Sequence, residues 1–241
     1  LIYSDAYSSK IMAYLSLYMH RGYTREKQEE EFIKATDAIM QQVSTNQEVY
    51  DFVLNFLIDG FENFQMENAL VYLADNYLDG ECETENEEIL KQRLESFQNM
   101  APGKKVKNIV LLDENDMPQR LSEIESDYVL IIFWATTCPH CTNLLPRIKN
   151  WYEKERNSID LSVYTVSIDT SRASWEEFVM LESLPWTNVY DPEGWESKTS
   201  KHYNIYATPT MVIVDRDRKI ISKPMTFREL KRDFNEIENK E

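Results

Sequence analysis

Two thiols pose the chemical question. Cys138 and Cys141 enclose Pro139 and His140, directly after Phe133-Trp134-Ala135-Thr136-Thr137. A thiolate is the nucleophile of thiol–disulfide exchange, so reactivity depends on how far the surroundings lower a thiol's pKa. The apolar run Tyr128 to Trp134 predicts a strand, and a helical pattern follows from Cys138 to about Arg156. Cys138 then sits at a helix N-terminus, where unpaired N–H groups and partial positive charge favour a thiolate. Pro139 suits the first turn, because its missing N–H is no loss there. His140, protonated or donating a hydrogen bond, would stabilise the thiolate further. Cys141, one turn inward, can attack a mixed disulfide and release the product.

Redox activity competes with two other uses of such a pair. An inert structural disulfide is one. Metal binding is the other, but a structural zinc site wants four ligands, usually from a second Cys or His pair. Only Cys82 and His20, His140 and His202 remain, and none of them is paired. A peroxidase of the peroxiredoxin kind would place Pro seven and Thr or Ser three residues before its cysteine; those positions are Ile131 and Ala135. Cys82 lies among Glu81, Glu83, Glu85, Glu87 and Glu88, carboxylates that raise a thiol pKa and blunt it.

The elements that must position the pair change character along the chain. Residues 1–100 read as helical. Arg25 to Gln42 carries Phe32, Ile33, Ala35, Ile39 and Met40 at three- and four-residue spacing. Asn46 to Asp59 opens with an Asn cap and stops before Gly60; Glu67 to Leu78 and Glu87 to Met100 are two further helices. Ala101-Pro102-Gly103 breaks the pattern. Beyond it, strands are predicted over Val106 to Asp113, Tyr128 to Trp134, Leu161 to Ile168, Met211 to Asp215 and Lys219 to Lys223. Helices are predicted over Ser174 to Leu181, Trp195 to Tyr203 and Thr226 to Glu238, the last with a Thr226/Glu229 capping box. This is an α/β sheet flanked by helices, residues 101–241, preceded by a small all-α domain, residues 1–100.

Composition excludes several classes. The chain has 241 residues and a formal net charge of −16. So acidic a body repels phosphate backbones and anionic lipid, which argues against general nucleic-acid binding. Its hydrophobic fraction of 42% is enough for a sizeable core. Its apolar runs are strand-sized, far short of the roughly 18 residues of a membrane span.

From Ala101 onward the chain resembles the thioredoxin-fold thiol–disulfide oxidoreductases of the TlpA/ResA-like group, in the Bacteroidetes form that carries an N-terminal helical region. The resemblance rests on Phe133-Trp134-Ala135 before the cysteines, Pro146, Leu184-Pro185-Trp186, Asp191-Pro192-Glu193-Gly194 and Tyr203 to Asp215 with its Ala-Thr-Pro-Thr stretch. It implies a Cys138 nucleophile, a Cys141 resolver, a cis peptide at Pro209 beside them, and a Thr208 backbone that pairs with substrate. It also implies cysteine-containing protein substrates, a redox partner protein such as a membrane-associated electron donor, and an exported, periplasmic protein whose leader is absent from this chain. No bound cofactor or metal is expected, because the electrons reside in the cysteine pair. Trp134, Trp186 and Trp195 are candidates to line a substrate groove, with core packing as the alternative.

The Pro-His dipeptide is the one found in DsbA, whose nucleophile has a pKa of about 3.5 and a potential of about −120 mV, against about 7 and −270 mV in thioredoxin. It points to a more oxidising couple without fixing the direction of electron flow. Three positions depart from the family pattern. Ile132 stands where thioredoxin keeps a buried Asp, Leu144 where the ResA-like group commonly has Glu, and Thr137 where a Trp often precedes the first cysteine. The hundred-residue helical addition and the missing acids motivate a second reading, in which the thioredoxin-like fold is a scaffold and the helical region docks a partner.

Overall fold

A computed structural model describes residues 5–64, 66–77, 95–155 and 158–238. The chain divides into two compact units, Leu1–Ala101 and Pro102–Glu241. Cys82 and most of the helix predicted over Glu87 to Met100 lie outside the described residues.

Among the described residues of the first unit are helices α1 (Ala6–Ser16), α2 (Arg25–Val43), α3 (Gln47–Asn63) and α4 (Glu67–Tyr77), and residues 95–99 are helical too. Side-chain caps start two of them. Thr24 Oγ1 accepts the Lys27 N–H at 3.3 Å, and Asn46 Oδ1 accepts the Val49 N–H at 3.1 Å. Apolar faces of α2, α3 and α4 meet in a core of Phe32, Met40, Val53, Leu57, Ile58, Leu70 and Leu73. One boundary departs from expectation: α3 runs through Gly60 to Asn63 instead of stopping there. A mid-helix glycine costs about 1 kcal/mol, and burying Phe61 next to it against Phe32 outweighs that.

The second unit is a seven-stranded mixed sheet in the order β2-β1-β5-β4-β3-β6-β7. Its strands are β1 (Val110–Leu112), β2 (Pro118–Arg120), β3 (Tyr128–Trp134), β4 (Leu161–Ser167), β5 (Thr187–Tyr190), β6 (Thr210–Asp215) and β7 (Ile220–Ser222). Strand β3 pairs parallel with β4 and antiparallel with β6, so it is hydrogen-bonded on both edges. Helix α5 (Pro139–Glu155) follows β3, α6 (Arg172–Glu182) follows β4, α7 (Lys198–His202) follows β5, and α8 (Phe227–Glu238) closes the chain. Leu130, Ile132 and Trp134 of β3 join α5, α6 and α8 in one core, through Leu145, Ile148, Trp175, Leu230 and Phe234. The alternate side chain Phe133 meets Tyr203, just after α7, with ring centroids 5.1 Å apart. Burial on both sides explains why β3 is a continuous apolar run.

The fold is the expected mixed sheet with flanking helices. Its differences from the sequence reading lie at polar edges. The strand predicted over Val106 to Asp113 shrinks to Val110–Leu112, because its first half bonds elsewhere: Val106 N–H donates to the Arg218 carbonyl at 2.9 Å. Strands β2 and β5 have no counterpart in the sequence reading, since Pro-Gln-Arg and Thr-Asn-Val-Tyr carry too few aliphatic residues to read as strands. The helix predicted over Trp195 to Tyr203 splits into a 3-10 turn, Gly194–Glu196, and α7; Ser197 between them accepts the Ser200 N–H at 2.9 Å. The capping box at α8 forms with a shift: Thr226 accepts the Glu229 N–H, and the Glu229 carboxylate reaches past it to the Met225 N–H at 2.8 Å.

Candidate functional site

Strand β3 delivers the chain to the C-terminal edge of the sheet, and Ala135–Cys138 turn it into α5. The turn closes with Cys138 N–H on the Ala135 carbonyl at 3.2 Å. Pro139 is the first residue of α5, as its fixed φ and missing N–H suit. Cys138 is half-buried and Cys141 fully buried, and both are free thiols. The Cys141 N–H lies 3.3 Å from the Cys138 sulfur while also pointing at the Cys138 carbonyl at 3.0 Å.

These contacts make the two thiols unequal. Partial burial pushes the Cys138 thiol up, but hydrogen bonds from the Cys141 thiol, the Thr208 side chain and the main-chain N–H groups of Cys141 and His140 outweigh it. Cys138 is held below the ordinary thiol value. Cys141 is pushed up to about 12, first by burial and then by its hydrogen bond to Cys138. One sulfur is poised to ionise and reachable from solvent. The other keeps its proton.

Seventy residues on, the loop before β6 closes the site. The Thr208–Pro209 peptide is cis, and the Cys138 sulfur lies 3.2 Å from the Thr208 carbonyl oxygen. That contact suits the protonated thiol, whereas the hydrogen bonds above suit the thiolate. Thr208, Pro209, Cys138, Pro139 and Cys141 thus form one cluster. His140 belongs to it through its main chain; its side chain is exposed.

The tryptophans divide. Trp134 is wholly buried in the sheet core against Phe178, with ring centroids 5.0 Å apart. It offers no surface to a substrate, so its assignment as a groove residue is corrected to core. The cause is its place in the inward-facing row of β3. Trp186 is half-buried and meets Tyr152 edge-on at 5.7 Å, while Trp195 is exposed. Ile132 and Leu144, where related proteins carry acids, are buried core residues.

The residue missed from sequence is Asp169. It is 2% exposed, just past β4, and its carboxylate ties down the turn that carries Cys138. Its two oxygens accept the Thr136 N–H at 2.8 and 3.0 Å, and Oδ1 accepts the Thr136 hydroxyl at 2.6 Å. Oδ2 accepts the Ser167 hydroxyl at 2.7 Å. A charge this deeply buried is tolerated because its oxygens are met by donors. The available signal was Asp at the end of a predicted strand, which by itself reads as a turn residue.

Comparison with known proteins supports the same half of the chain. The profile of the AhpC/TSA family matches residues 102–223. Nucleoredoxin from Xenopus laevis is 30% identical over 115 residues, 47% of this chain and 27% of that protein. The chain therefore spans about a quarter of the nucleoredoxins it matches. Thiol-disulfide oxidoreductase ResA from Bacillus thuringiensis is 25% identical over 126 residues, 52% of this chain and 70% of that protein. A thioredoxin-like protein from Bacteroides caccae superposes with a TM-score of 0.72 at 17% identity, covering 98% of this chain and 85% of that one, which extends the likeness in fold to the helical unit.

Proposed function

Because the chain belongs to the AhpC/TSA family, we propose that it is a thiol–disulfide oxidoreductase working through Cys138-Pro139-His140-Cys141. The observation that carries this reading is the inequality of the two thiols. Cys138 is accessible with a lowered pKa, and Cys141 is buried behind it and protonated. Peroxidase chemistry is disfavoured within the family, since Ile131 and Ala135 fill the positions where a peroxidatic site needs Pro and Thr or Ser.

The Cys138 thiolate attacks one sulfur of a substrate disulfide. A bond forms between Cys138 and that sulfur, the substrate S–S bond breaks, and the other substrate sulfur leaves as a thiolate. Cys141 loses its proton, for which the departing thiolate is the base at hand, and attacks the Cys138 sulfur. The mixed disulfide breaks, the substrate leaves as a dithiol, and the enzyme holds the Cys138–Cys141 disulfide; two electrons have moved. Oxidation of a substrate dithiol is the same sequence reversed. The Thr208 main chain would pair with the substrate chain beside Pro209. Substrates are proteins with accessible cysteines, and a redox partner, such as a membrane-associated electron donor, resets the pair. The chemistry needs no bound cofactor. The likeness to ResA favours an exported, periplasmic location.

Insulin disulfide reduction tests the reading. Turnover should vanish in Cys138→Ser, and Cys141→Ser should accumulate a mixed disulfide at Cys138. Partner binding without turnover in the unmodified chain would favour the scaffold reading instead, whose support is the aliphatic Ile132 and Leu144 where related proteins place acids.

A further inference from the structure

A groove between α5 and α8 runs against the charge of the whole chain. It has a volume of about 880 Å3 and is floored by Trp151 and Phe227. Arg147 and Lys154 of α5 and Arg228 and Lys231 of α8 line it; all four are exposed, and none takes part in an ion pair among the described residues. Arg232 also lines it but is held by Asp233 and Glu236. Arg147 and Lys231 both lie against the Phe227 ring, at 4.8 and 5.4 Å from its centroid. Acidic residues outnumber basic ones 42 to 26 in this chain, so counter-charges are plentiful elsewhere. Glu155 and Glu236 also line the groove, but its five basic residues outnumber these two acidic ones, so the surface around the two aromatic rings is complementary to negative charge.

We propose that this groove docks an acidic, aromatic- or aliphatic-containing peptide segment of a protein partner. The spacing favours a peptide over a small anion. Arg147 and Lys154 are two turns apart on α5, roughly 10 Å along its axis, which one phosphate or carboxylate cannot bridge. An extended chain advances roughly 3.3 Å per residue, so carboxylates three positions apart reach both, and an intervening apolar side chain meets Phe227 or Trp151. A membrane surface fits less well, because a broad anionic plane meets the charge of −16 carried by the whole chain, whereas a short peptide meets only the groove. Arg147 is nine residues beyond Cys138 on the helix that starts next to it, roughly 14 Å along the axis. A partner joined to Cys138 by a mixed disulfide could reach the groove within the same complex. The assignment to a redox partner rests on the oxidoreductase reading; the binding itself does not.

The test is fluorescence anisotropy with the full chain and a labelled, cysteine-free Glu-Glu-Phe-Glu-Glu peptide. The acidic peptide should bind roughly tenfold or more tightly than its Gln-Gln-Phe-Gln-Gln twin. The Arg147→Glu/Lys231→Glu double variant should lose that advantage, while keeping its circular dichroism and its turnover of insulin. Should the double variant fail to fold, Lys154→Ala/Arg228→Ala is the substitute and should weaken binding several-fold. Equal binding of the two peptides would overturn the proposal, as would unchanged affinity in the variants. Tighter binding of inorganic phosphate or of phosphatidylserine vesicles at the same groove would overturn it too. Peptide binding without insulin turnover would sink only the oxidoreductase reading, and turnover without peptide binding only the groove.

Discussion

The Cys138 sulfur lies 3.2 Å from the main-chain oxygen of Thr208, although seventy residues separate them in the chain. A thiol can donate to that oxygen and a thiolate cannot. Ionisation of Cys138 therefore removes the donor and leaves the Thr208 carbonyl open to an N–H of an incoming chain. In the proposed reaction, activation of the nucleophile and release of the substrate-pairing backbone are one event. The other contacts of Cys138 drive that event, since the N–H groups at the start of α5 favour the charged sulfur.

Alkylation should separate the two thiols. In the reduced protein, iodoacetamide should modify Cys138 first, with a rate that rises through a midpoint below the ordinary thiol pKa of about 8.5. Cys141 should stay unmodified until far more alkaline pH, as its value near 12 requires. Mass spectrometry of the modified peptides reads both. Equal rates at the two sites would contradict the inequality.

Stability of the reduced protein should depend on pH in two opposed ways. Cys138 has a lowered folded pKa, so between that value and about 8.5 the unfolded chain binds more protons and stability rises with pH. Cys141 has a raised one, so from about 8.5 up to about 12 the folded chain binds more protons and stability falls. Urea denaturation across this range should show a rise and then a decline. Cys138→Ser should remove the rise, and Cys141→Ser the part of the decline between about 8.5 and 10, above which buried Tyr164 and Tyr203, their pKa values raised by burial, continue it.

How much of this was legible in the sequence depends on what fixed each element. Strand β3 and helix α5 could be read because a doubly buried strand must be apolar throughout and α5 carries its buried face at Cys141, Leu144, Leu145 and Ile148. The Pro209 loop was reached through family resemblance, since nothing local brings residue 208 to residue 138. Strands β2 and β5 escaped because pairing partners, not their own side chains, make them strands. Trp134 was misassigned for a related reason. Its position next to the site in sequence is plain, but the alternation of β3 turns it into the core. Asp169 was invisible because its role is a contact across 33 positions.

That contact should be measurable. Asp169→Ala strands the Thr136 N–H and frees the Thr136 and Ser167 hydroxyls, and should cost about 2–4 kcal/mol of stability. Asp169→Asn keeps the volume and part of the acceptor capacity and should cost less. Both should also move the Cys138 titration, because the turn that holds its sulfur against the α5 N-terminus would loosen. An unchanged urea midpoint in Asp169→Ala would show that the tie does not hold the turn.

The most direct measurement is an equilibrium titration of the Cys138–Cys141 couple against a glutathione series. A reversible two-electron transition is expected, absent in either single Ser variant, with a potential above the about −270 mV of thioredoxin, because a stabilised Cys138 thiolate stabilises the reduced form. A transition near −270 mV or lower would keep the enzyme and remove the link between the lowered Cys138 pKa and an oxidising couple. The absence of any reversible transition would show that Cys138 and Cys141 are not a redox pair.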